Sequence, residues 1–523
     1  MPESDRAGGG IRARLSAVAL FSATAMILAV PLAAQTPRSG SGTGFDAPAA
    51  SPAAMSSLLD PVLQGRRGAI GVAVYSVDRS APLYLRDADR ALMPASNMKL
   101  YTTAAALDRL GPDFQYTTSL YADGPVLPGG ILDGNLILVG RGDPSLSGRF
   151  FGDSATYVFD RFAEELRRAG VRRVTGRLIG DASYFDAELS APGWESGNLL
   201  WWYGARASAL SFNDNVVILE IRPGEAAGAP AQVAFVPRTN GLRVANRAVT
   251  SGRRGGRSIG IERRPDIDGF EIWGRIPVGG TPVRYVVAVE DPAAFALSVM
   301  RARLERLGIA VSGSDQVVYD RDLLPERDRR LIASHVSPRL VDLVRIVNKR
   351  SQNFFAEQIL KTLGAVVEGE GSFDDGGDVV EDLLRGFGIS TRSVHVVDGS
   401  GLSRNNVVTP RATTELLVAM RSHPRFDDYY DSLLIAGQDG DPRRLRSPSA
   451  IGNIHTKTGT LRGVSALSGY ATTLDGELLA FSVITNGMAG GKGASIAIED
   501  AVAEALAGYS SRWSPLLERE VGR

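Results

Sequence analysis

The sequence predicts an α/β fold of the α+β type, with an antiparallel sheet flanked by helices and a β-rich block inserted into it. A hairpin and a helix are predicted near the start of the chain, and helices, two strands and a closing helix near its end. Between them, short β-rich runs are divided by Gly and Pro. Because both ends combine helices with strands and the middle does so far less, we expect the two ends to form one domain around an insertion.

Length and composition narrow the class of protein. At 523 residues the chain is too long for one ordinary hydrophobic core, so two or three domains are expected. A formal net charge of zero argues against nucleic acid as a partner. The absence of cysteine rules out disulfides, a thiolate nucleophile and cysteine-ligated metal. No H-E-x-x-H or clustered His/Asp motif is present, so neither a metal nor another cofactor is expected.

The N-terminus has the features of an export signal. Three arginines precede an apolar run over 15–34 that ends in small residues, which predicts a cleavable signal peptide over 1–34. A retained membrane anchor is the alternative, because about twenty apolar residues just span a bilayer. Export without cysteine points to the bacterial periplasm. The following stretch, 35–57, is rich in Ser, Gly, Pro, Ala and Thr and is predicted to be a flexible tether.

The first elements are a hairpin and a helix. Residues 68–77 alternate small and β-branched residues, and 82–85 follow a short turn, which predicts two antiparallel strands. Pro94 then opens a run that closes at Gly111 and the proline after it, and this punctuation is typical of a helix.

The middle of the chain has a different residue pattern. Over 112–334 the β-rich runs are interrupted by one predicted helix near 157–169. Within this block, 222–288 is still richer in Gly, Pro, Arg and Val, which indicates a small nested β module. The predicted domains are therefore a main domain over 58–112 and 335–515, an inserted domain over 113–221 and 289–334, and a nested β domain over 222–288.

The end of the chain returns to helices and strands. Helical periodicity is found over 338–347 and 353–363. Two strands follow over 464–472 and 478–485, joined by an Asp-Gly turn, and a closing helix is predicted over 494–507.

The use of lysine is the strongest chemical signal. The chain has 58 Lys and Arg residues but only five lysines, and two of them, Lys99 and Lys457, lie in Ser-x-x-Lys and Lys-Thr-Gly motifs. Arginine cannot lose its proton at neutral pH, whereas a buried lysine can. Ser96 lies in the first turn of the predicted helix, one turn from Lys99. Since a serine hydroxyl must be activated by a neighbouring base, these residues predict serine acyl-transfer with a lysine base.

Together with Ser351-Gln352-Asn353, these motifs resemble those of the penicillin-recognising serine enzymes, with Gln352 in the place of the usual Asp. Ser351 lies 255 residues after Ser96, and a compact β-lactamase has no room for such an insertion. The chain is similar instead to class C low-molecular-mass penicillin-binding proteins, the D-alanyl-D-alanine carboxypeptidase/endopeptidase family, which carry two extra domains there. The resemblance runs from about residue 55 to 510 and includes further stretches at 140–146, 210–215, 348–353 and 398–404.

This resemblance implies a β-lactamase/DD-peptidase-like catalytic domain with two inserted β-rich domains. It also implies an exported serine D-Ala-D-Ala carboxypeptidase, acting on peptidoglycan stem peptides and on cross-linked ones, with β-lactams as covalent inhibitors. Ser96 would be the nucleophile and Lys99 its base, while Ser351 and Lys457 would pass a proton to the leaving amine. The substrate would be held by the Asn353 amide, by Lys457 and Thr458 at its terminal carboxylate, by the backbone at Gly459, and by an oxyanion hole made of the Ser96 and Thr460 N–H groups.

Two further residues are assigned to substrate binding by the same resemblance. Arg404 would help form a pocket for the amino and carboxyl groups of a diaminopimelate side chain, and Asp181 would bind the amino group. Structuring of its own loop is the alternative for Arg404, and a capped turn is the alternative for Asp181. Arg462 stands where family members often have a small or amide residue, so the side-chain specificity of this pocket is expected to differ.

Two other functions stay open at this stage. A serine β-lactamase or esterase would need rapid deacylation, and the second motif begins with Ser351 rather than the tyrosine of class C β-lactamases. A non-catalytic cell-wall protein that binds β-lactams would not need the complete set of reactive side chains that this chain retains. The sequence leaves the oligomeric state, membrane association and protein partners open.

Overall fold

The computed structural model describes residues 50–325 and 328–511. The expected signal peptide over 1–34 and most of the expected tether lie outside these ranges. Residues 52–57, which the sequence assigned to the tether, belong instead to the first helix, Pro52–Leu63, where Met55, Leu59 and Leu63 form a buried stripe four residues apart. None of the helices in the described ranges has the length and hydrophobicity that crossing a membrane requires.

The helices are numbered in chain order and are capped as their sequences suggest. For example, the Ser51, Asp291 and Thr409 side chains each accept a backbone N–H at a helix start, directly before a proline. The α-helices of the described residues are α1 Pro52–Leu63, α2 Met98–Arg109, α3 Tyr157–Arg168, α4 Pro292–Arg306, α5 Leu340–Lys349, α6 Asn353–Leu363, α7 Phe373–Gly386, α8 Pro410–Arg421, α9 Phe426–Asp431 and α10 Gly491–Ala507.

The strands form five sheets in the described part of the chain. The strands are β1 Ala69–Ser76, β2 Ala81–Arg86, β3 Thr117–Ala122, β4 Val126–Leu127, β5 Ile131–Leu132, β6 Leu136–Val139, β7 Arg173–Val174, β8 Leu178–Asp181, β9 Val216–Arg222, β10 Gln232–Val236, β11 Arg243–Ser251, β12 Ser258–Arg264, β13 Gly269–Pro277, β14 Val283–Ala288, β15 Ala310–Val311, β16 Asp315–Val318, β17 Arg330–Val336, β18 Leu434–Ile435, β19 His455–Leu461, β20 Val464–Thr472 and β21 Leu478–Asn486.

The largest sheet joins the two ends of the chain. Its order is β18-β19-β20-β21-β1-β2, and every neighbouring pair is antiparallel. The predicted hairpin and the two predicted C-terminal strands are all in it, as the sequence analysis expected. Strand β1 pairs with β21 across the whole length of both strands, so the N-terminal hairpin and the C-terminal strands are parts of one sheet.

Helices cover both faces of this sheet. Successive side chains of β21 point to opposite faces, and they divide accordingly: Ala480 and Ile484 pack with α2 and α8, whereas Phe481 and Val483 pack with α1 and α10. Because both faces are covered, the central strands β20 and β21 are buried along almost their whole length rather than at alternate residues. The fold is therefore the helix-flanked antiparallel sheet that the sequence predicts.

The middle of the chain forms the other four sheets, whose orders are β16-β8-β6-β3-β17, β15-β7-β5-β4, β10-β9-β14 and β11-β13-β12. One hydrophobic cluster connects them, and it includes side chains on both sides of the expected boundary at 222, such as Val217 and Phe270. The β-rich character of the block is as expected, and the domain boundaries stay a prediction.

Several helices were not predicted from the sequence. The middle block contains α4 in addition to the single helix expected near 157–169, and the C-terminal part contains α7, α8 and α9. Helix α7 carries Gly376 and Gly377, which weaken helix propensity. Both are needed for packing, because a Cβ at Gly376 would lie 2.3 Å from the Leu360 carbonyl oxygen and one at Gly377 would lie 2.6 Å from that of Val396.

We expect Gly376→Ala to destabilise the protein by about 1–3 kcal/mol, because the added methyl group must push α7 away from α6. Gly386→Ala is the matched control in the same helix, since a Cβ there meets no atom within 4 Å. The measurement is the free energy of unfolding in urea. Equal stability of Gly376→Ala and the wild type would contradict the close approach of the two helices.

Candidate active site

The Ser96 hydroxyl lies at the N-terminal end of α2. Ser96 belongs to a 3₁₀ turn, Ala95–Asn97, that leads directly into the α-helix, whereas the sequence placed it in the first α-helical turn. Ala95 has a left-handed backbone with φ of 46°, which is unusual for a residue with a side chain. This bend leaves Ser96 partly exposed while Ala95 and Asn97 on either side are buried.

Lys99 is fully buried, and its amine meets three acceptors. Its Nζ lies 2.9 Å from Ser96 Oγ, 2.7 Å from Asn353 Oδ1 and 2.7 Å from the carbonyl oxygen of Ser400. An ammonium group has three N–H bonds and donates to all three acceptors. A neutral amine has two N–H bonds, which Asn353 and Ser400 can accept, so its lone pair is directed at the Ser96 hydroxyl. The surroundings therefore orient Lys99 as a base.

The electrostatic environment favours loss of that proton. Burial lowers the pKa of Lys99 to about 7, although the Glu357 and Asp398 carboxyls oppose the shift. Burial also lowers the pKa of Lys457, and the nearby positive charge of Lys99 lowers it further. Two ammonium groups that share a buried site repel each other. The pair therefore favours a state with fewer than two positive charges near neutral pH.

Lys457 lies on the strand that passes beside the Ser96 turn. It lies on β19, is fully buried, and its Nζ donates to Ser351 Oγ at 2.9 Å and to the Thr458 carbonyl oxygen at 2.8 Å. Ser351 has φ of 51°, so it has a left-handed backbone, as Ala95 does beside Ser96. Such conformations are strained for residues with a side chain and occur at sites where geometry matters for function.

The absence of a side chain at Gly459 brings β19 against the Ser96 turn. A Cβ there would lie 2.8 Å from the Pro94 carbonyl oxygen and 3.0 Å from the Ser96 backbone nitrogen. The strand therefore passes close to the backbone N–H of Ser96, and Thr460, the next residue, is exposed. The loop that contains Gly401 approaches the same turn still more closely, since a Cβ at Gly401 would overlap the Ala95 carbonyl oxygen.

The second motif connects this site to the inserted block. Asn353 donates from Nδ2 to the Tyr203 carbonyl oxygen at 2.7 Å while its Oδ1 accepts from Lys99. The Gln352 side chain instead donates to Asp214 Oδ2 at 3.1 Å. Asp214 also pairs with Arg149. Gln352, the residue that departs from the usual motif, thus contributes to packing between the two parts of the chain.

Arg404 and Asp181 have different partners. Arg404 Nε donates to Glu195 at 2.8 Å, and Arg462 contacts the same carboxylate at 3.3 Å. Asp181 lies at the end of β8, is buried, and accepts hydrogen bonds from the backbone and hydroxyl of Ser183. Asp181 therefore has the contacts of the capped turn that the sequence analysis gave as the alternative.

Lys99 contacts both Ser96 and Asn353 directly in the structure. A separate direct contact joins Lys457 to Ser351. Sequence reasoning did not find the roles of Glu195, Tyr203 and Ser400 around them. Tyr203 and Ser400 act through backbone carbonyl groups, which no residue pattern reveals. Glu195 lies directly after an Ala-Pro-Gly-Trp segment whose Trp194 donates to Asp398 at 2.8 Å, and only this packing brings it to Arg404.

Comparisons with known proteins agree with this arrangement. The family model of the D-Ala-D-Ala carboxypeptidase 3 (S13) family matches residues 53–509. A D-alanyl-D-alanine carboxypeptidase of Actinomadura sp. is 36% identical over 472 residues, which are 88% of this chain and 84% of the relative. D-alanyl-D-alanine carboxypeptidase DacB of Haemophilus influenzae is 28% identical and matches 76% of this chain and 81% of its own. The crystal structure of penicillin-binding protein 4 from Haemophilus influenzae has the same fold, with a TM-score of 0.75 at 24% identity, covering 87% of this chain and 99% of that one.

We expect Gly459→Ala to slow covalent labelling by fluorescent penicillin about 100-fold, because a displacement of about 1 Å at reacting groups has an effect of that size. The added methyl group would push β19 away from the Ser96 turn. Gly493→Ala is the control, since a Cβ there meets no atom within 4 Å. Wild-type labelling of a folded Gly459→Ala protein would show that this contact is not needed.

Proposed function

The chain belongs to the D-Ala-D-Ala carboxypeptidase 3 (S13) family, and we propose that its serine chemistry runs through an acyl-enzyme on Ser96. The protein is a serine-type D-Ala-D-Ala carboxypeptidase with the fold of the penicillin-binding proteins. The observation that supports the proposed nucleophile most strongly is the 2.9 Å contact between its hydroxyl and the buried Lys99 amine.

Acylation begins when Ser96 Oγ attacks the carbonyl carbon of the D-Ala-D-Ala bond and its proton passes to Lys99. The negative charge that develops on the carbonyl oxygen is stabilised by the backbone N–H groups of Ser96 and Thr460. In other serine enzymes each such donor contributes about 3–4 kcal/mol. Ser351, which accepts a hydrogen bond from Lys457 at 2.9 Å, delivers its hydroxyl proton to the departing D-alanine amine and is reprotonated by Lys457. The proton that Lys99 took from Ser96 then restores Lys457, so Lys99 is again the free base.

The substrate itself helps to distribute the charge. Its terminal carboxylate is bound by Lys457 and the Thr458 hydroxyl. An opposite charge in direct contact favours the ammonium form of Lys457. A charged Lys457 in turn disfavours a second charge on Lys99. Substrate binding therefore concentrates the positive charge on Lys457 and leaves Lys99 as the free base, in the state that accepts the Ser96 proton.

Water then hydrolyses the acyl-enzyme, with Lys99 as the base once more. A β-lactam follows the same path to acylation, but its adduct persists because the opened ring stays attached. A cross-linked stem peptide presents the same D-alanyl carbonyl with a larger amine as leaving group, and we propose that it is cleaved at the same site. A persistent adduct with labelled penicillin supports a peptidase, whereas fast turnover would favour the β-lactamase alternative.

The enzyme acts on peptidoglycan, and we assign it to the periplasm after export by a cleavable signal peptide. This assignment rests on the charged, apolar and small-residue order of positions 1–34.

We also propose that Arg404 and Glu195 recognise the side chain of the substrate. A diaminopimelate side chain ends in a carboxyl and an amino group, which match a guanidinium and a carboxylate. Glu195 lies 2.8 Å from Arg404, whereas Asp181 is engaged with Ser183. Arg462 adds a second, largely exposed positive charge beside the same carboxylate. This pocket therefore favours substrates whose side chain carries a free carboxylate.

Lys99→Arg tests the general base. Although the positive charge is kept, guanidinium cannot accept the Ser96 proton, so we expect D-alanine release from a pentapeptide stem to fall roughly 1,000-fold, to the level of Ser96→Ala. Lys349→Arg is the control, because Lys349 forms an ion pair with Asp439 that arginine can replace. Normal activity of Lys99→Arg would remove Lys99 as the base.

Glu195→Gln tests the pocket. Loss of the carboxylate should lower kcat/KM for stems with a free diaminopimelate amino group about tenfold more than for the same stems with that amino group acetylated, because the acetylated form cannot pair with Glu195. Asp181→Asn should lower stability without changing this ratio. A change of the ratio in Asp181→Asn and none in Glu195→Gln would return the role to Asp181.

A further inference from the structure

A second buried carboxyl group lies behind the Lys99 amine. Glu357 is on α6, one helical turn after Asn353, so both side chains lie on the same face of that helix. Asn353 contacts Lys99 directly. Glu357 is fully buried, and the reaction described above does not use it.

Glu357 binds the backbone of the residue whose carbonyl oxygen contacts Lys99. Its Oε2 accepts the N–H of Gly399 at 2.7 Å and its Oε1 accepts the N–H of Ser400 at 3.0 Å. The carbonyl oxygen of Ser400 then accepts from Lys99 Nζ at 2.7 Å. Only glycine at 399 allows this approach, because a Cβ there would lie 2.5 Å from the Ala356 carbonyl oxygen. Both oxygens of Glu357 are thus used to hold one turn of the chain.

The neighbouring carboxyl group, Asp398, has a different arrangement. It accepts hydrogen bonds from the backbone N–H groups of Gly401 and Ser403 and from the side chains of Asn406 and Trp194. All of these donors except Trp194 lie in its own loop. Asp398 therefore mainly closes that loop, while Glu357 connects the loop to the helix that carries Asn353.

We propose that Glu357 is the positioning residue of the general base, an inference that rests on the proposed role of Lys99. Glu357 and Asn353, one turn apart on α6, fix the two acceptors that leave the lone pair of a neutral Lys99 directed at Ser96. Glu357 fixes the Ser400 carbonyl through the 399–400 backbone, and Asn353 supplies its own Oδ1. The negative charge of Glu357 also sets the pH at which Lys99 becomes the free base.

The charges around the pair define the sign of this effect. Lys99 on α2 faces Glu357 on α6, Asp398 in the loop and Lys457 on β19. Lys361, one turn after Glu357, forms an ion pair with Asp186. Burial and the charge of Asp398 raise the pKa of Glu357, whereas its hydrogen bonds from the 399–400 backbone and the charge of Lys99 favour the carboxylate form. Because a carboxylate beside Lys99 favours the ammonium form, removing it lowers the pKa of Lys99.

The experiment is the pH dependence of penicillin acylation in wild type, Glu357→Gln, Glu357→Asp and Glu499→Gln. Acylation needs neutral Lys99, so its rate in the wild type rises with pH through the pKa of Lys99 and then reaches a plateau. We expect Glu357→Gln to lower the plateau about tenfold to a hundredfold and to move the acid limb to lower pH. Glu357→Asp keeps the charge and should keep the limb, with a lower plateau.

Glu499→Gln is the matched control, because Glu499 is equally buried but forms an ion pair with Arg444. It should match the wild type in both limb and plateau. An unmoved limb or an unchanged plateau in Glu357→Gln, or a shift shared by Glu499→Gln, would overturn the proposal. If Glu357→Gln does not fold, a wild-type plateau in Glu357→Asp overturns it. A wild type without any acid limb would instead contradict Lys99 as the base.

Discussion

The burial of one lysine amine is the constraint on which this active site depends. In water the Lys99 side chain would stay protonated far above neutral pH, whereas burial lowers its pKa to about 7. A buried amine must also have hydrogen-bond partners, and the three acceptors come from three parts of the chain: Ser96 from the turn before α2, Asn353 from α6, and Ser400 from a later loop. The fold therefore serves to bring these segments together around a group that is shielded from bulk solvent.

Close backbone contacts make this enclosure possible. Two segments contact the 3₁₀ turn at Ser96: β19 at Gly459, and the loop that contains Ser400 at Gly401. Neither position has room for a side chain. Ala95 and Ser351 have left-handed backbones beside these contacts. Strain of this kind persists only where the surrounding structure holds it, here a sheet formed from both ends of the chain and covered by helices on both faces.

The sequence predicts which side chains lie in contact, because serine, lysine and asparagine in fixed spacings indicate a chemistry that needs them together and because proline and glycine mark the ends of α2. Their catalytic roles stay a prediction. The sequence also predicts the hairpin and the C-terminal strands from their alternation and turns. It does not predict α7, because Gly376 weakens helix propensity and its value for packing against Leu360 appears only in three dimensions. It does not reveal the Ser400 carbonyl group as a partner of Lys99, because any residue has such a group. Nor does it reveal Glu195, which lies next to Arg404 only because of the way its segment packs. The resemblance assigned Asp181 to substrate binding with a capped turn as the alternative, and its contacts are those of a local turn.

The most direct measurement is the titration of Lys99 itself. With only five lysines in the chain, protein labelled with lysine enriched in ¹³C at Cε gives a spectrum of few signals, and the Lys99 signal is assigned by its loss in Lys99→Arg. The structure predicts that this signal titrates with a pKa of about 7, well below the value of about 10.4 for a lysine side chain in water. A Lys99 signal that titrates at the value of a lysine in water would contradict a neutral lysine base.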